Sequence, residues 1–305
     1  MKTIDLFAGI GGISTGMESV GFRTVFANDI DPRSKETYDL NYVTKLTLGD
    51  LQQIDITTLP EFDCLTGGFP CQPFSVAGKG KGFDDTRGTL FFTLASILKE
   101  RHPRCFLLEN VKQLYHHDGG RTFQTILRVL REDLGYTVYY NVLNSKDFGV
   151  PHNRERVFIV GFRENLDFIW PDAIGTPKFT SILENNPDQK YFYDTDHKHY
   201  KAMTAEVTDP DGIYQWRWSY VRKNKKGISP CLLASNMQPV IFLDRGRIRT
   251  LTPREGLRLQ GFPDWFTFPK DMKDKDKFHQ IGNSVSIPVI KSIATEMWTT
   301  LQEST

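Results

Sequence analysis

Cys71 stands in the run Gly67-Gly68-Phe69-Pro70-Cys71-Gln72-Pro73-Phe74-Ser75, with proline on either side of the Cys-Gln pair. A loop thiol is the kind of group that, as its thiolate, adds to electron-poor carbon. It needs partners for that work. Glu109 closes the apolar run 105–109 and could offer a carboxyl group to the same place. Arg154 and Arg156 alternate just ahead of the apolar run 157–162, and alternation puts both on one face of an extended chain. Taken singly, each has a plainer reading: an inert loop cysteine, a strand-end salt-bridge acid, a surface pair of arginines. Cys64 and Cys105 lie inside apolar runs and read as small core residues, and Cys231 beside Pro230 reads as structural. With no CxxC pair among the four cysteines, neither a disulfide framework nor a zinc site is indicated.

A second chemical feature opens the chain. Asp5-Leu6-Phe7-Ala8-Gly9-Ile10-Gly11-Gly12-Ile13-Ser14 follows an apolar run and leads into a helical pattern. Glycines there let a ligand approach the backbone, and a helix start offers free N–H groups. Ser14 stands where a dinucleotide fingerprint would need its third glycine. Asp29 ends the second apolar run, where a carboxylate can hold a ribose hydroxyl pair. The competing reading is a glycine-rich turn with solvent-facing acids.

The elements that must position these groups alternate. Runs 3–7, 24–28, 63–66 and 105–109 predict buried strands, and 13–20, 32–40, 90–100 and 122–134 predict helices. Such alternation implies βαβ units and a mostly parallel sheet, whose ligands bind at the carboxyl ends of the strands. Cys71, Glu109, Asp29 and the glycine loop all fall at such ends. Segments 136–144 and 156–162 predict two more strands as a closing hairpin. From Trp170 to about 239 the texture turns to Pro, Asn, Asp, Lys and aromatics, which reads as a smaller, loop-rich region. Thr252-Pro253-Arg254-Glu255 then opens a helix with an N-cap, a first-position proline and a capping box. The stretch 270–277 reads as a charged loop and 285–301 as a last helix.

Among 305 residues, 38 Lys and Arg against 37 Asp and Glu leave a net charge of +1, so phosphate-binding charge must be local if present. At 39% hydrophobic and 25% charged the chain can build a core. No run is long and apolar enough for a membrane span, and the first residues lack a signal-peptide pattern. A cytoplasmic protein is expected.

In order along the chain stand DLFAGIGG (5–12), ANDID (27–31), GDLQQID (49–55), GGFPCQPFS (67–75), DDTRGTLFF (84–92), ENV (109–111), FGVPHNRERVFIVGF (148–162), RTLTPREGLRLQGFPD (249–264) and HQIGNSV (279–285). With them the sequence resembles the C5 DNA-cytosine methyltransferases of bacterial restriction–modification systems almost end to end. The resemblance implies an α/β, Rossmann-like S-adenosylmethionine-dependent methyltransferase domain with a smaller target-recognition domain, and DNA held between them. The expected boundaries are 1–170 for catalysis and cofactor, 171–252 for recognition, 253–280 for a hinge and 281–305 for a segment returning to the first domain.

The resemblance also assigns roles. Cys71 attacks C6 of a flipped cytosine, Glu109 hydrogen-bonds its N3 and amine, and Arg154 and Arg156 contact its O2 and hold Glu109. Phe7, Gly9, Gly11, Asp29, Asp50, Leu51, Pro70 and Asn283 form the S-adenosylmethionine shell, leaving S-adenosylhomocysteine as product. No metal is implied. Ser75, Lys79, Lys81 and Arg87 belong to a loop that closes on DNA. The implied protein is a monomer, bacterial or phage-encoded, whose cognate endonuclease acts on the same site without stable contact. One departure concerns His152, where the family usually has glutamine; histidine is shorter and titratable.

For base reading the second region offers Gln215, Arg217, Arg222, Asn236, Gln238 and the alternating Arg245, Arg247 and Arg249, which could also simply face solvent, with Lys223, Lys225 and Lys226 for phosphate; arginine can read guanine, and asparagine or glutamine adenine. The Trp-rich stretch around them could equally be that region's own core. Two rival functions stand beside this reading. One is an RNA cytosine-5 methyltransferase of the same architecture, the other a binding protein that uses the fold without catalysis. The PCQPFS run favours DNA over RNA, and Cys71, Glu109 and both arginines together speak for catalysis.

Overall fold

The structure is a computed structural model that describes residues 1–70, 90–217, 219–224, 227–235 and 239–303. In chain order the first elements are β1 (Lys2–Leu6), α1 (Gly12–Glu18), β2 (Arg23–Asp29), α2 (Pro32–Asn41), β3 (Leu46–Leu48), β4 (Cys64–Gly68), α3 (Leu90–Arg101) and β5 (Cys105–Val111). Then come α4 (Gln113–His116), α5 (Arg121–Arg128), β6 (Thr137–Asn144), β7 (His152–Asn153), β8 (Glu155–Phe162) and α6 (Tyr200–Glu206). The chain ends with β9 (Ile213–Arg217), β10 (Tyr220–Lys223), β11 (Ser229–Pro230), β12 (Val240–Asp244), β13 (Arg247–Thr250), α7 (Pro253–Leu259), α8 (Asp274–Asn283) and α9 (Ile287–Glu303). They form two compact units, one of residues 1–143, 155–172 and 289–305, the other of 144–154 and 173–288.

The first unit carries a seven-stranded sheet in the order β3-β2-β1-β4-β5-β8-β6. β3, β2, β1, β4 and β5 pair in parallel, and β8 runs antiparallel to β5. β5 is buried at every residue but its last, the pattern of a strand covered on both faces. The expected closing pair is present, with β8 placed between β5 and β6. The strand order reverses between β1 and β4, which makes a crevice at their carboxyl ends. α9 returns to this unit from Val289 onward and packs on α1: a Cβ added to Gly16 would lie 2.5 Å from Ile290 Cγ2, and Trp298 meets Phe22 edge-on.

The second unit departs from its loop-rich expectation. It holds an antiparallel sheet in the order β10-β9-β12-β13, over a core of Met203, Val207, Tyr214, Trp216, Ile241 and Ile248. Its strands have four or five residues, too short for alternation to stand out among the surrounding polar residues. α7 starts as expected, with both halves of the Thr252–Glu255 capping box made. Glu255 also receives the fully buried Arg249, Nη2 to Oε1 at 2.7 Å, and Arg249 Nε reaches Asp244 at the same distance. The stretch 270–277 is only partly loop. α8 begins at Asp274, with Asp274 and Asp276 in the first turn, where carboxylates suit the positive end of the helix dipole.

Candidate active site

Two pairs of neighbouring strand ends in the first unit, β1 with β2 and β4 with β5, carry the glycine loop, Asp29, Pro70 and Glu109. After β1 the backbone takes positive φ at Phe7 (57°), Gly9 (54°) and Gly11 (85°). Gly11 needs its missing side chain twice over, since the left-handed conformation is strained for other residues and an added Cβ would lie 2.4 Å from the Tyr42 ring. Tyr42 closes on the loop from behind, with its hydroxyl on Gly11 O at 2.8 Å and on Thr15 Oγ1 at 2.6 Å. At the end of β2, Asp29 Oδ2 accepts the Gly9 N–H at 2.8 Å and Oδ1 accepts the Asp31 N–H at 2.9 Å. Burial nonetheless pushes the Asp29 carboxyl above the ordinary carboxylate range.

Asn28, one residue before, donates to Thr47 O and Gly49 O, so the segment carrying Asp50 is fixed beside β2. Asp50 caps the short 3-10 helix Leu51–Gln53 through Gln52 N–H. Leu51 is 3% exposed and packs in the core. Around a Cβ added to Gly9 there is nothing within 4 Å among the described residues, which leaves an open approach to the backbone at the switch point. Glycine backbone, an acid at the second strand and an open crevice fit a nucleoside cofactor such as S-adenosylmethionine. Asn283 lies in the second unit at the end of α8, with Nδ2 3.2 Å from His279 Nε2.

The anchor of this loop was not singled out from the sequence. Asp5 is fully buried, its Oδ2 accepting Ser14 Oγ at 2.6 Å and Ser14 N–H at 3.2 Å, and its Oδ1 accepting Thr66 Oγ1 at 3.0 Å. Ser14 also meets the Tyr38 hydroxyl at 3.1 Å. Burial raises the Asp5 carboxyl from 3.8 to about 6. The usable signal was an acid inside an otherwise apolar strand, followed by serine where a glycine motif should continue.

The second pair of strand ends carries the cysteine loop. β4 ends in Gly67 and Gly68, and Gly68 pairs in register with Glu109 of β5. A Cβ on Gly68 would sit 3.4 Å from Glu109 Oε2. Asn110, 2% exposed, donates its amide to Phe69 O at 2.8 Å, tying the chain just before exposed Pro70 to the end of β5. Cys71 follows Pro70 and, with Ser75, Lys79, Lys81 and Arg87, lies outside the described residues, as do Asn236 and Gln238.

Glu109 is 8% exposed, and Arg156 Nε stands 3.0 Å from its Oε1. The pairing follows from register. Arg156 faces Val111 across the antiparallel β5–β8 ladder, so it is the diagonal same-face neighbour of Glu109. Arg156 Nη1 also donates to Glu155 O at 2.8 Å, which fixes the rotamer.

Arg154 is placed differently. The alternation expected to put it on one face with Arg156 stops at β8, which begins at Glu155, and Arg154 sits in the break after β7. Within the second unit its buried guanidinium donates to Leu232 O (3.4 Å), Gly282 O (3.1 Å), Ser284 O and Cys231 Sγ (3.5 Å). His152 supports the same region. It is fully buried, its Nε2 accepts the Leu232 N–H at 3.1 Å, and β7 pairs with β11. Histidine therefore serves here as a short acceptor that holds the 229–232 strand and loop.

Along the Trp-rich run of β9 the core reading holds for one face. Tyr214 and Trp216 point into the core, whereas Gln215 and Arg217 take the other face with Arg222 opposite Gln215. Among the described residues no group of His, Cys, Asp and Glu side chains could hold a metal ion, and no helix is long and apolar enough to cross a membrane.

The family model described as C-5 cytosine-specific DNA methylase matches residues 1–299. The chain is 44% identical over 293 residues to the type II methyltransferase M.NgoBI of Neisseria gonorrhoeae, covering 95% of this chain and 91% of that protein. It is 43% identical over 309 residues to M.HaeII of Haemophilus aegyptius, covering 100% and 95%. Among solved structures, a Spodoptera frugiperda DNMT2 variant matches with a TM-score of 0.76 at 23% identity, over 99% of both chains. The Dnmt2 methyltransferase of S. pombe matches with the same TM-score at 19% identity and the same coverage. Identities that low speak to the fold, which is the Rossmann-like methyltransferase fold. The sequence match speaks to the family. This chain belongs to the C-5 cytosine-specific DNA methylases and is a DNA (cytosine-5-)-methyltransferase.

Proposed function

We propose that this enzyme methylates C5 of one cytosine in a short, specific double-stranded DNA site, as the modification partner of a restriction–modification system. The observation that carries the reading is the Glu109–Arg156 pair beside the glycines that lead to Cys71, with Asn110 fastened to Phe69 O. A buried carboxyl group, a guanidinium and the base of a nucleophile loop thus share one strand edge.

C5 of cytosine is a weak nucleophile. The base has to leave the duplex stack to be reached, which costs a few kcal/mol. Addition of the Cys71 thiolate to C6 moves the C5=C6 pair toward C5 and turns the ring into an enamine. Glu109 holds N3 and the exocyclic amine while charge develops there. Arg156 keeps the Glu109 carboxyl group in place and offers its remaining N–H groups to the base O2. Arg154 acts as a positioning residue through the carbonyls it gathers. S-adenosylmethionine, when bound, would supply an electrophilic methyl group on sulfonium, and Phe7, Gly9 and Gly11 of the glycine loop, Asp29, Asp50, Leu51 and Pro70 are the first-unit residues that would hold it. Once C5 carries the methyl group, loss of its proton to a base lets the Cys71 sulfur leave as thiolate and restores the C5=C6 bond.

The test is a duplex carrying 5-fluorocytosine at the target position, because fluorine cannot leave as the proton does. The wild type with S-adenosylmethionine should form a covalent complex stable to denaturing gels, and Cys71→Ser should not. Methyl incorporation without any trapped complex would sink the mechanism.

A further inference from the structure

Gln215 and Arg217 stand two apart on β9, and Arg222 of β10 faces Gln215 in the ladder, so the three share one side of the second unit's sheet. That side opens onto a concave pocket of about 440 Å³, lined also by Asn153, Lys223 and Asn224. Gln215 is only 3% exposed. Its Oε1 accepts two bonds from Arg217, from Nε at 3.3 Å and from Nη2 at 3.1 Å. Those donors form the side edge of the guanidinium. Among the described residues nothing takes up the end edge, one N–H each from Nη1 and Nη2, so that edge keeps its fork. Among the described residues no carboxylate pairs with Arg217, while neighbouring Lys223 is engaged by Asp209 at 3.5 Å.

Phosphate contact needs positive charge near the backbone and little orientation, which exposed Arg222 can supply. A guanidinium fixed in advance by a buried amide gives up rotamer freedom, and gains from it only against an oriented pair of acceptors. In the major groove, guanine N7 and O6 are that pair. We propose that Arg217 reads one guanine of the target site through its free end edge, and that Gln215 is the residue that positions it. This rests on the reading of the enzyme as methylating a specific duplex site.

The experiment is methylation of a duplex library randomised around a central cytosine, followed by bisulfite sequencing, for the wild type, Arg217→Lys, Gln215→Ala and Arg222→Ala. Base preferences are compared position by position within each variant, so overall rate cancels. Where turnover is low, sequencing of the bound duplexes gives the same comparison. Arg217→Lys should lose about tenfold or more of the guanine preference at one position and leave the others as they were. Gln215→Ala should weaken the preference at that same position. Arg222→Ala should lower affinity evenly across sequences and flatten the salt dependence. An undiminished guanine preference in Arg217→Lys overturns the inference, and so does a loss spread over every position or a complete loss of binding. A wild type that methylates no member of the library would instead defeat the underlying reading of the enzyme's target.

Discussion

Arg156 Nε lies 3.0 Å from Glu109 Oε1, and only 16% and 10% of the two side chains are exposed. The pair joins the end of β5 to the start of β8, diagonal neighbours on one face of an antiparallel ladder. A geometry set by sheet register persists without substrate, so the carboxyl group does not have to be reorganised when charge develops against it.

If the two act as one unit, their losses will not add. Glu109→Gln and Arg156→Ala should each lower kcat by roughly a hundredfold or more, within the range of general acid–base and electrostatic contributions. The double variant should be about as slow as the worse single one. Single-turnover methyl transfer to duplex DNA measures all three. Losses that multiply would mean that the residues work independently.

Much of this site was legible because its chemistry sits at strand ends, where apolar runs stop and unusual residues begin. Glu109 after a buried run and glycines after β1 and β4 gave themselves away. Arg154 did not. Period-2 reasoning assigned it to the face of Arg156, but the ladder begins one residue later and a two-residue strand, β7, comes before it. Alternation carries over only while pairing is continuous. The second unit's sheet escaped for a related reason, since the short β9 and β10 lie between polar turns. Asn110 and Asp5 were passed over because their roles are hydrogen bonds to residues distant in sequence, Phe69 and Thr66.

Asp5 makes the protein's stability depend on pH in an uncommon direction. Its carboxyl group titrates at about 6 in the fold, against 3.8 ordinarily, because it is wholly buried. A folded value above the unfolded one means that the folded state holds the proton longer, so stability falls as pH rises from about 4 to 6 and then levels. A shift of about two units corresponds to a contribution on the order of 3 kcal/mol. Asp5→Asn has no such titration. Its carbonyl can still accept from Ser14, while its amide can donate to Thr66 Oγ1. Urea unfolding at pH 4.5 and 7.5 should therefore show the variant gaining on the wild type at the higher pH. An equal difference at both would mean that Asp5 is ionised throughout.

Gly11 tests the loop itself. An alanine there carries a left-handed backbone, roughly 1–2 kcal/mol unfavourable, and drives a methyl group into the Tyr42 ring. Tyr42 must yield, and it holds Gly11 O and Thr15. Gly11→Ala should bind S-adenosylhomocysteine at least about tenfold more weakly in calorimetry, a change of roughly 1.4 kcal/mol. Unchanged affinity would detach the glycine loop from cofactor binding.

The two arginines of Asn153-Arg154-Glu155-Arg156 should separate when each is changed to lysine. Lysine keeps the charge and loses the planar fork. At Arg154 the fork is what gathers the carbonyls of Leu232, Gly282 and Ser284 in a buried place, and each acceptor left without a donor costs roughly 1–3 kcal/mol. Arg154→Lys should accordingly lower the melting temperature by several degrees, while the folded enzyme keeps kcat within a few-fold. At Arg156 the fork orients a single carboxyl group, that of Glu109. Arg156→Lys should leave the melting temperature within about two degrees and lower kcat by an order of magnitude or more, with little change in the KM for DNA. Calorimetric melting and steady-state methylation on the same preparations decide between them. A fall in turnover for Arg154→Lys without loss of stability would move Arg154 from supporting the second unit to contacting the base.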